Sequence, residues 1–162
     1  MNKYDLLRMS DAELLKQCRF EARRGTGPGG QKRNKTSTAA RVTHVPSGLS
    51  ATDDVTRSQH QNLAHALWKL RCEMAVKLPL AEGESTPEIP LEPVPRSSSP
   101  AFAPWLGRIF DALQANGFQL AATATALGCT SSQLTKLLAK DDFVWQKLAE
   151  ARQKMQLPPL HR

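Results

Sequence analysis

Gln17-Cys18-Arg19-Phe20-Glu21-Ala22-Arg23-Arg24 alternates, with Cys18, Phe20 and Ala22 on one side and Arg19, Glu21 and Arg23 on the other. A period of two predicts a half-buried strand. The strand runs straight into Gly27-Pro28-Gly29-Gly30-Gln31, and the spacing allows a short helix over Asn34 to Ala40. Arg41 to Val45 reads as a second strand, Pro46-Ser47-Gly48 as a turn, and Leu49 to Thr52 as the returning arm of a hairpin. From Thr56 to Lys77, Leu63, Leu67, Leu70 and Met74 fall at steps of four, three and four, one apolar stripe of a helix that packs across the small sheet. Upstream, Ser10-Asp11-Ala12-Glu13 has the form of a capping box and starts a short helix through Lys16. Residues 1–78 are therefore expected to be an α+β domain, near the lower size limit for a self-sufficient core.

The loop that interrupts this pattern carries the chemistry. Adjacent glycines remove the Cβ that would hold a ligand away from the backbone, and Gln31 adds one neutral amide. Cations crowd around it: Arg19, Arg23, Arg24, Lys32, Arg33, Lys35, Arg41 and Arg57, with only Glu21 opposing them between Lys16 and Arg41. Such a set contacts phosphates, which fix position without reading sequence; a merely solvated surface is the plainer alternative. Residues 1–77 hold 14 Lys and Arg against 7 Asp and Glu, while residues 78–162 hold eight of each, so the whole net charge of +7 lies in the half with the loop. A basic module beside a neutral one is the footprint of a nucleic-acid binder whose second half has another task.

Gly27-Pro28-Gly29-Gly30-Gln31, followed in order by Asn34-Lys35-Thr36, Arg41-Val42-Thr43-His44, Pro46-Ser47-Gly48 and Arg57-Ser58-Gln59-His60-Gln61-Asn62, resembles the catalytic domain of class I peptide-chain release factors and of the small ribosome-rescue hydrolases related to them. The resemblance covers about Leu15 to Lys77. It implies that Gly29, Gly30 and Gln31 enter the peptidyl-transferase centre, where the ester joining the nascent peptide to tRNA is hydrolysed. It also implies ribosomal RNA and peptidyl-tRNA as partners, contacted by the cations above together with Asn34 and Gln59. Methylation of the Gln31 side chain follows from the same resemblance. The backbone N–H of Gln31 can donate to the departing ribose oxygen, and the side-chain amide can orient or admit the water. One departure is Arg33, where release factors usually carry an apolar residue. A second is that the residues before the loop leave no room for the family's codon-reading domain, so the expectation is ester hydrolysis on stalled ribosomes without stop-codon recognition. A non-catalytic RNA- or ribosome-binding protein on the same scaffold is the alternative. A transcription regulator fits less well, because the positive charge is in the wrong half.

Other chemistries find little footing. Ser58, His60, Asp53 and Asp54 are close in sequence, yet residues two apart on a helix diverge, and no strand-turn-helix nucleophile elbow is present. Cys18, Cys72 and Cys129 are scattered, without metal-ligand spacing, and read as reduced, mostly buried thiols. No metal or cofactor is expected. No apolar run approaches the roughly 18 residues of a membrane span, Met1 to Met9 does not read as a signal peptide, and a cytoplasmic protein is expected.

Residues 79–104 contain seven prolines, four glutamates and Ser97-Ser98-Ser99, a composition that predicts a semi-extended linker, able to span on the order of 70 Å at about 3.1 Å per residue. Residues 105–162 read as a small all-α domain. Trp105 to Asn116 carries Leu106, Ile109, Phe110 and Leu113 on one face, with Gly117 suited to the C-cap. Gln119–Leu127, Gly128-Cys129-Thr130 and Ser131–Ala139 resemble a helix-turn-helix, with Thr130 and Gln133 as a second capping box. Its polar face offers Ser131, Ser132, Gln133, Thr135, Lys136 and Lys140 to an RNA element or an adaptor protein, although zero net charge argues against strong autonomous DNA binding. A helical cap or protein-docking module of the same shape is the other reading. Asp141 and Asp142 favour the start of a last helix, which Leu157-Pro158-Pro159 stops.

Overall fold

The computed structural model describes residues 1–23 and 38–162. The chain divides into two compact units, Met1–Leu78 and Pro79–Arg162.

The first unit is α+β. Helices α1 (Lys3–Arg8) and α2 (Asp11–Lys16) precede strand β1 (Cys18–Arg23), followed by β2 (Ala39–His44), β3 (Ser50–Asp53) and the long helix α3 (Gln59–Lys77). The sheet is antiparallel in the order β1-β2-β3. Ser10 and Glu13 form the expected reciprocal cap of α2. A box of the same kind, Asn2 with Asp5, starts α1, a helix that the sequence reading did not anticipate; Tyr4, Leu6 and Leu7 of α1 are buried. Arg71 of α3 fastens this N-terminal pair, donating to the carbonyls of Leu6 and Leu7 at the end of α1 and to Asp11 Oδ1 at 2.8 Å.

Cross-strand register fixes which side of the sheet each residue takes. Ala40, Val42 and His44 lie on the face of β2 turned to α3; Ala40 and Val42 are fully buried, and Leu67, Leu70 and Met74 are buried on α3, which packs on this strand. The apolar stripe of α3 is therefore the one expected, with Leu63 half-buried at its start. Helix α3 packs on β2 and β3. Strand β1 is an edge strand, and Phe20 on its α3 side stays 40% exposed. Period two places side chains on two faces; it does not supply a layer to cover one. The helix expected over Asn34 to Ala40 fails at its end: Ala39 and Ala40 are strand, paired with Arg23 and Ala22. Its earlier part lies outside the described residues.

The β2–β3 turn closes through the His44 carbonyl, which accepts from Gly48 N–H at 2.8 Å, and Gly48 takes φ +74°, where a side chain would be strained. His44 itself is buried between Ser47 Oγ (2.7 Å from Nδ1) and Gln17 Oε1 (2.9 Å from Nε2). The Gln17 carbonyl can only accept, so Nε2 carries the proton and Nδ1 accepts from the serine hydroxyl. Burial lowers the pKa of the ring, in keeping with a neutral, structural histidine.

The second unit holds helices α4 (Phe102–Ala115), α5 (Leu120–Leu127), α6 (Ser131–Ala139) and α7 (Asp142–Lys154). Helix α4 is its core. Phe102, Trp105, Leu106, Ile109, Phe110 and Leu113 are buried along one face, and Ala103, Pro104 and Gly107 are buried on other sides of its first two turns, so one packing partner cannot cover it. Part of the cover comes from the proline-rich segment: Trp105 Nε1 donates to the Leu91 carbonyl at 3.0 Å, and Thr86 Oγ1 bonds Asp111 at 3.2 Å. Gly117 (φ +60°) and Gly128 (φ +76°) end α4 and α5 in the left-handed conformation that favours glycine. Thr130 and Gln133 cap α6 reciprocally, and Asp141 Oδ1 caps α7. None of the three cysteines is in a disulfide: Cys72 is buried, while Cys18 and Cys129 are half-buried, with thiol pKa values raised by burial.

Candidate functional site

Residues 24–37 connect β1 to β2, and Arg23 pairs directly with Ala39. The chain therefore leaves and re-enters at one end of the sheet. Arg24, Gly29, Gly30, Gln31, Lys32, Arg33, Asn34 and Lys35 lie outside the described residues, and the described residues on either side of them form a frame.

The frame has three parts. The first is the face of the sheet turned away from α3. There, Arg19 pairs with Thr43 and Thr43 with Ser50; Glu21 pairs with Arg41 and Arg41 with Thr52. Arg19, Arg23 and Arg41, chosen from sequence as phosphate contacts, thus share one face. Glu21 stands among them, 3.3 Å from the guanidinium groups of both Arg19 and Arg23. Both arginines remain exposed, and pairs of this kind add little to stability. Their effect is orientation, with a net positive surface left over. Arg41 is half-buried and reaches Ser50 Oγ at 3.4 Å.

The second part is the start of α3, at the same end of the sheet as the exit of the chain. Arg57 and Gln59 are exposed there. Ser58 is the N-cap, its Oγ accepting from Gln61 N–H at 3.2 Å. That hydroxyl is occupied as a cap, and Asp53 turns to other partners, so the residues considered for a serine-type triad are not brought together.

Asn62 forms the third part. It is fully buried. Its Oδ1 accepts from the N–H and hydroxyl of Thr56, at 3.0 and 2.9 Å, and its Nδ2 donates to the carbonyls of Thr38 and Thr56, at 2.7 and 2.9 Å. One side chain ties the approach to α3 to the residue at which the chain rejoins the sheet. The sequence reading used Asn62 only as part of a motif. The signal available was an asparagine one turn inside a helix start on its buried face, where an amide needs several partners.

Beside it, the buried Asp53 carboxylate of β3 meets Lys69 Nζ at 2.7 Å and His65 Nδ1 at 3.2 Å, one helical turn apart on α3. Burial alone would raise the pKa of Asp53. The hydrogen bond and charge of Lys69, the bond from His65 and the N–H of Val55 outweigh it, and the pKa lies below the ordinary 3.8. A carboxyl with a lowered folded-state pKa holds its proton less tightly folded than unfolded. Its contribution is thus complete above about pH 4 and disappears as pH falls through the folded value. Asp53→Asn is expected to cost about 1.5 kcal/mol at pH 7, the lower end for a charged hydrogen bond because Lys69 is partly in water. Urea unfolding at pH 7 and at pH 3 checks this: the gap between variant and wild type narrows at the lower pH.

In the second unit, Ser131, Ser132, Gln133, Lys136 and Lys140 are exposed on or just after α6, and Thr135 is half-buried with its hydroxyl donated to the Ser131 carbonyl. Leu134, Leu137 and Leu138 form the opposite, buried face. Among the described residues there is no cluster of His, Cys, Asp and Glu that fits a metal, and no helix long and apolar enough to cross a membrane.

A family model, the RF-1 domain, matches residues 12–89. That range takes in α2, the sheet, the connection that carries Gly29–Gln31, and α3. Peptide chain release factor 2 of Paramagnetospirillum magneticum is 45% identical over 58 residues, 36% of this chain and 16% of that protein. Peptide chain release factor 1 of Lawsonia intracellularis is 49% identical over 51 residues, 32% and 14% of the two chains. The factor 1 of Pelagibacter ubique is 38% identical over 68 residues, 42% and 18%.

Residues 12–89, just under half of the chain, are similar to the RF-1 domain of class I release factors. The similarity is confined to this domain: the matches span less than a fifth of each of these relatives. In the release-factor domain, the basic sheet face, the start of α3 and the Asn62 clamp surround the two points between which the Gly-Gly-Gln segment is strung.

Proposed function

We propose that this protein hydrolyses the peptidyl-tRNA ester on the ribosome and frees the nascent chain from stalled complexes without reading a codon. The observation that carries the reading is the RF-1 match over residues 12–89, a range that includes Gly29-Gly30-Gln31 and the basic face of the sheet. In this proposal the Gln31 N–H stabilises the departing ribose oxygen, and the Gln31 amide orients the attacking water. A fixed donor of this kind is worth roughly 3–4 kcal/mol of barrier. Arg19, Arg23, Arg41 and Arg57 contact ribosomal RNA phosphates, so engagement weakens steeply with salt. The α5–Gly128–α6 arrangement acts as a helix-turn-helix-like module. Its exposed residues Ser131, Ser132, Gln133, Lys136 and Lys140 recognise the stalled state through RNA or an adaptor protein. The protein works in the cytoplasm, where its ribosomal substrate is.

The test uses ribosomes holding labelled peptidyl-tRNA. On mRNA that ends in the P site, the full-length protein is expected to release peptide, and a stop codon placed in the A site gives no further acceleration. Lys136→Glu with Lys140→Glu should raise the ribosome concentration needed for half-maximal rate about tenfold, by removing contacts of the kind that neutralise phosphates, and leave the saturated rate unchanged. Release that depends on a stop codon would remove the codon-independent part of the proposal. Absence of release, with ribosome binding intact, would leave the binding-protein alternative.

A further inference from the structure

We propose that Asn62 is the positioning residue for the Gly-Gly-Gln segment, an inference that rests on the release reading above. Catalysis by an oriented donor depends on placement, and a displacement of about 1 Å costs on the order of a hundredfold in rate. A functional segment therefore needs its ends fixed to rigid elements by locked side chains. At one end, Arg23 is held by the ladder to Ala39. At the other, Thr38 precedes the first ladder residue, and its carbonyl is held by Asn62 Nδ2 at 2.7 Å, the shortest of the four Asn62 bonds.

No other side chain meets these demands. The orientation of the amide is fixed by its partners: Thr56 N–H requires an acceptor, and the two carbonyls require donors. Aspartate has the shape but no donors, and would set a carboxylate against two buried carbonyls. Glutamine is one methylene too long for a site with no exposed surface. Leucine would leave the Thr38 carbonyl without its partner. Asn62 lies in the second turn of α3, whose stripe is packed on the sheet, so the anchor moves only if the core moves. Thr56 shares the network without touching Thr38, which makes it the natural comparison: Thr56→Val loses the hydroxyl bonds to Asn62 and Ser58 and leaves the Asn62–Thr38 bond in place.

The experiment compares full-length wild type, Asn62→Ser and Thr56→Val, at a temperature where circular dichroism shows all three folded; Asn62→Thr replaces Asn62→Ser should that variant fail to fold. Two quantities are read: single-turnover release at saturating stalled ribosomes, and amide exchange at residues 38–40. The Asn62 variant is expected to release about a hundredfold more slowly, with the half-saturating ribosome concentration within twofold of wild type. Its exchange at residues 38–40 should rise at least tenfold. Thr56→Val should stay within threefold of wild type in both readouts. Wild-type release by the Asn62 variant overturns the positioning role, and so does an equal loss in Thr56→Val, since the loss then follows stability alone. Failure of the release reading shows separately, as no peptide freed by wild type. Exchange then decides: unchanged exchange in the Asn62 variant overturns the anchoring, and raised exchange confined to that variant sustains it.

Discussion

Leu70→Ala is expected to lower the unfolding free energy of the release-factor domain by about 3 kcal/mol, within the range for a buried leucine cut back to alanine. Leu70 is fully buried midway along α3, where the helix crosses β2 and β3. Ala40 and Val42, buried on the strand over which α3 packs, are small and belong to a central strand held on both sides, so they cannot swing in to refill the space. A domain of this size has only about 5–10 kcal/mol in total. The loss is thus a large share of what keeps the sheet and helix together. Urea unfolding measures it: at an m-value near 1.5 kcal/mol/M, the midpoint falls by about 2 M. A shift below about 0.5 M would mean that α3 is not the element holding the sheet.

Much of that architecture could be read from residue order. The four apolar residues at helical spacing identified α3, Ser10 and Glu13 identified the start of α2, and Pro46-Ser47-Gly48 identified the hairpin, because each is a local pattern with a local physical cause. What was not legible depended on partners distant in sequence. The alternation in β1 gave its two faces correctly, but whether Phe20 would be covered depended on how far α3 reaches across the sheet. Ala39 and Ala40 read as helix formers and became strand because β1 and β3 pair with β2 there; tertiary pairing overrode a weak intrinsic preference. Helix α1, as short as α2, was missed because its capping box pairs Asn2 with Asp5 and departs from the Ser/Thr-x-x-Glu/Gln form that marked α2. The proline-rich segment has the composition of a free tether, yet Leu91 and Thr86 bond back to α4, a helix too apolar to remain bare.

The candidate site divides in the same way. Arg19, Arg23 and Arg41 could be chosen as a group from their density, and alternation along two strands carried all three to one face. Arg57 was chosen with the same cations, and Gln59 through the resemblance carried by Arg57-Ser58-Gln59-His60-Gln61-Asn62. The role of Asn62 required the fold, because its partner Thr38 lies 24 residues away in the chain. The helices of the second unit matched the expected turn at Gly128 and cap at Thr130 closely, since a left-handed glycine and a reciprocal cap are both written locally.

Peptide release by residues 29–31 is the claim to which the rest of the functional account is tied. The direct measurement is single-turnover release of labelled peptide from ribosomes stalled on truncated mRNA, comparing wild type with Gln31→Pro, Gln31→Ala and Gly30→Ala. Proline at position 31 deletes the backbone N–H, and loss of one such donor is expected to slow release 100- to 1,000-fold. Gly30→Ala should also lose release, through the Cβ it adds to the backbone approach, and Gln31→Ala through the lost water-orienting amide, with ribosome binding retained in all three. Release by Gln31→Pro within twofold of wild type would contradict the account.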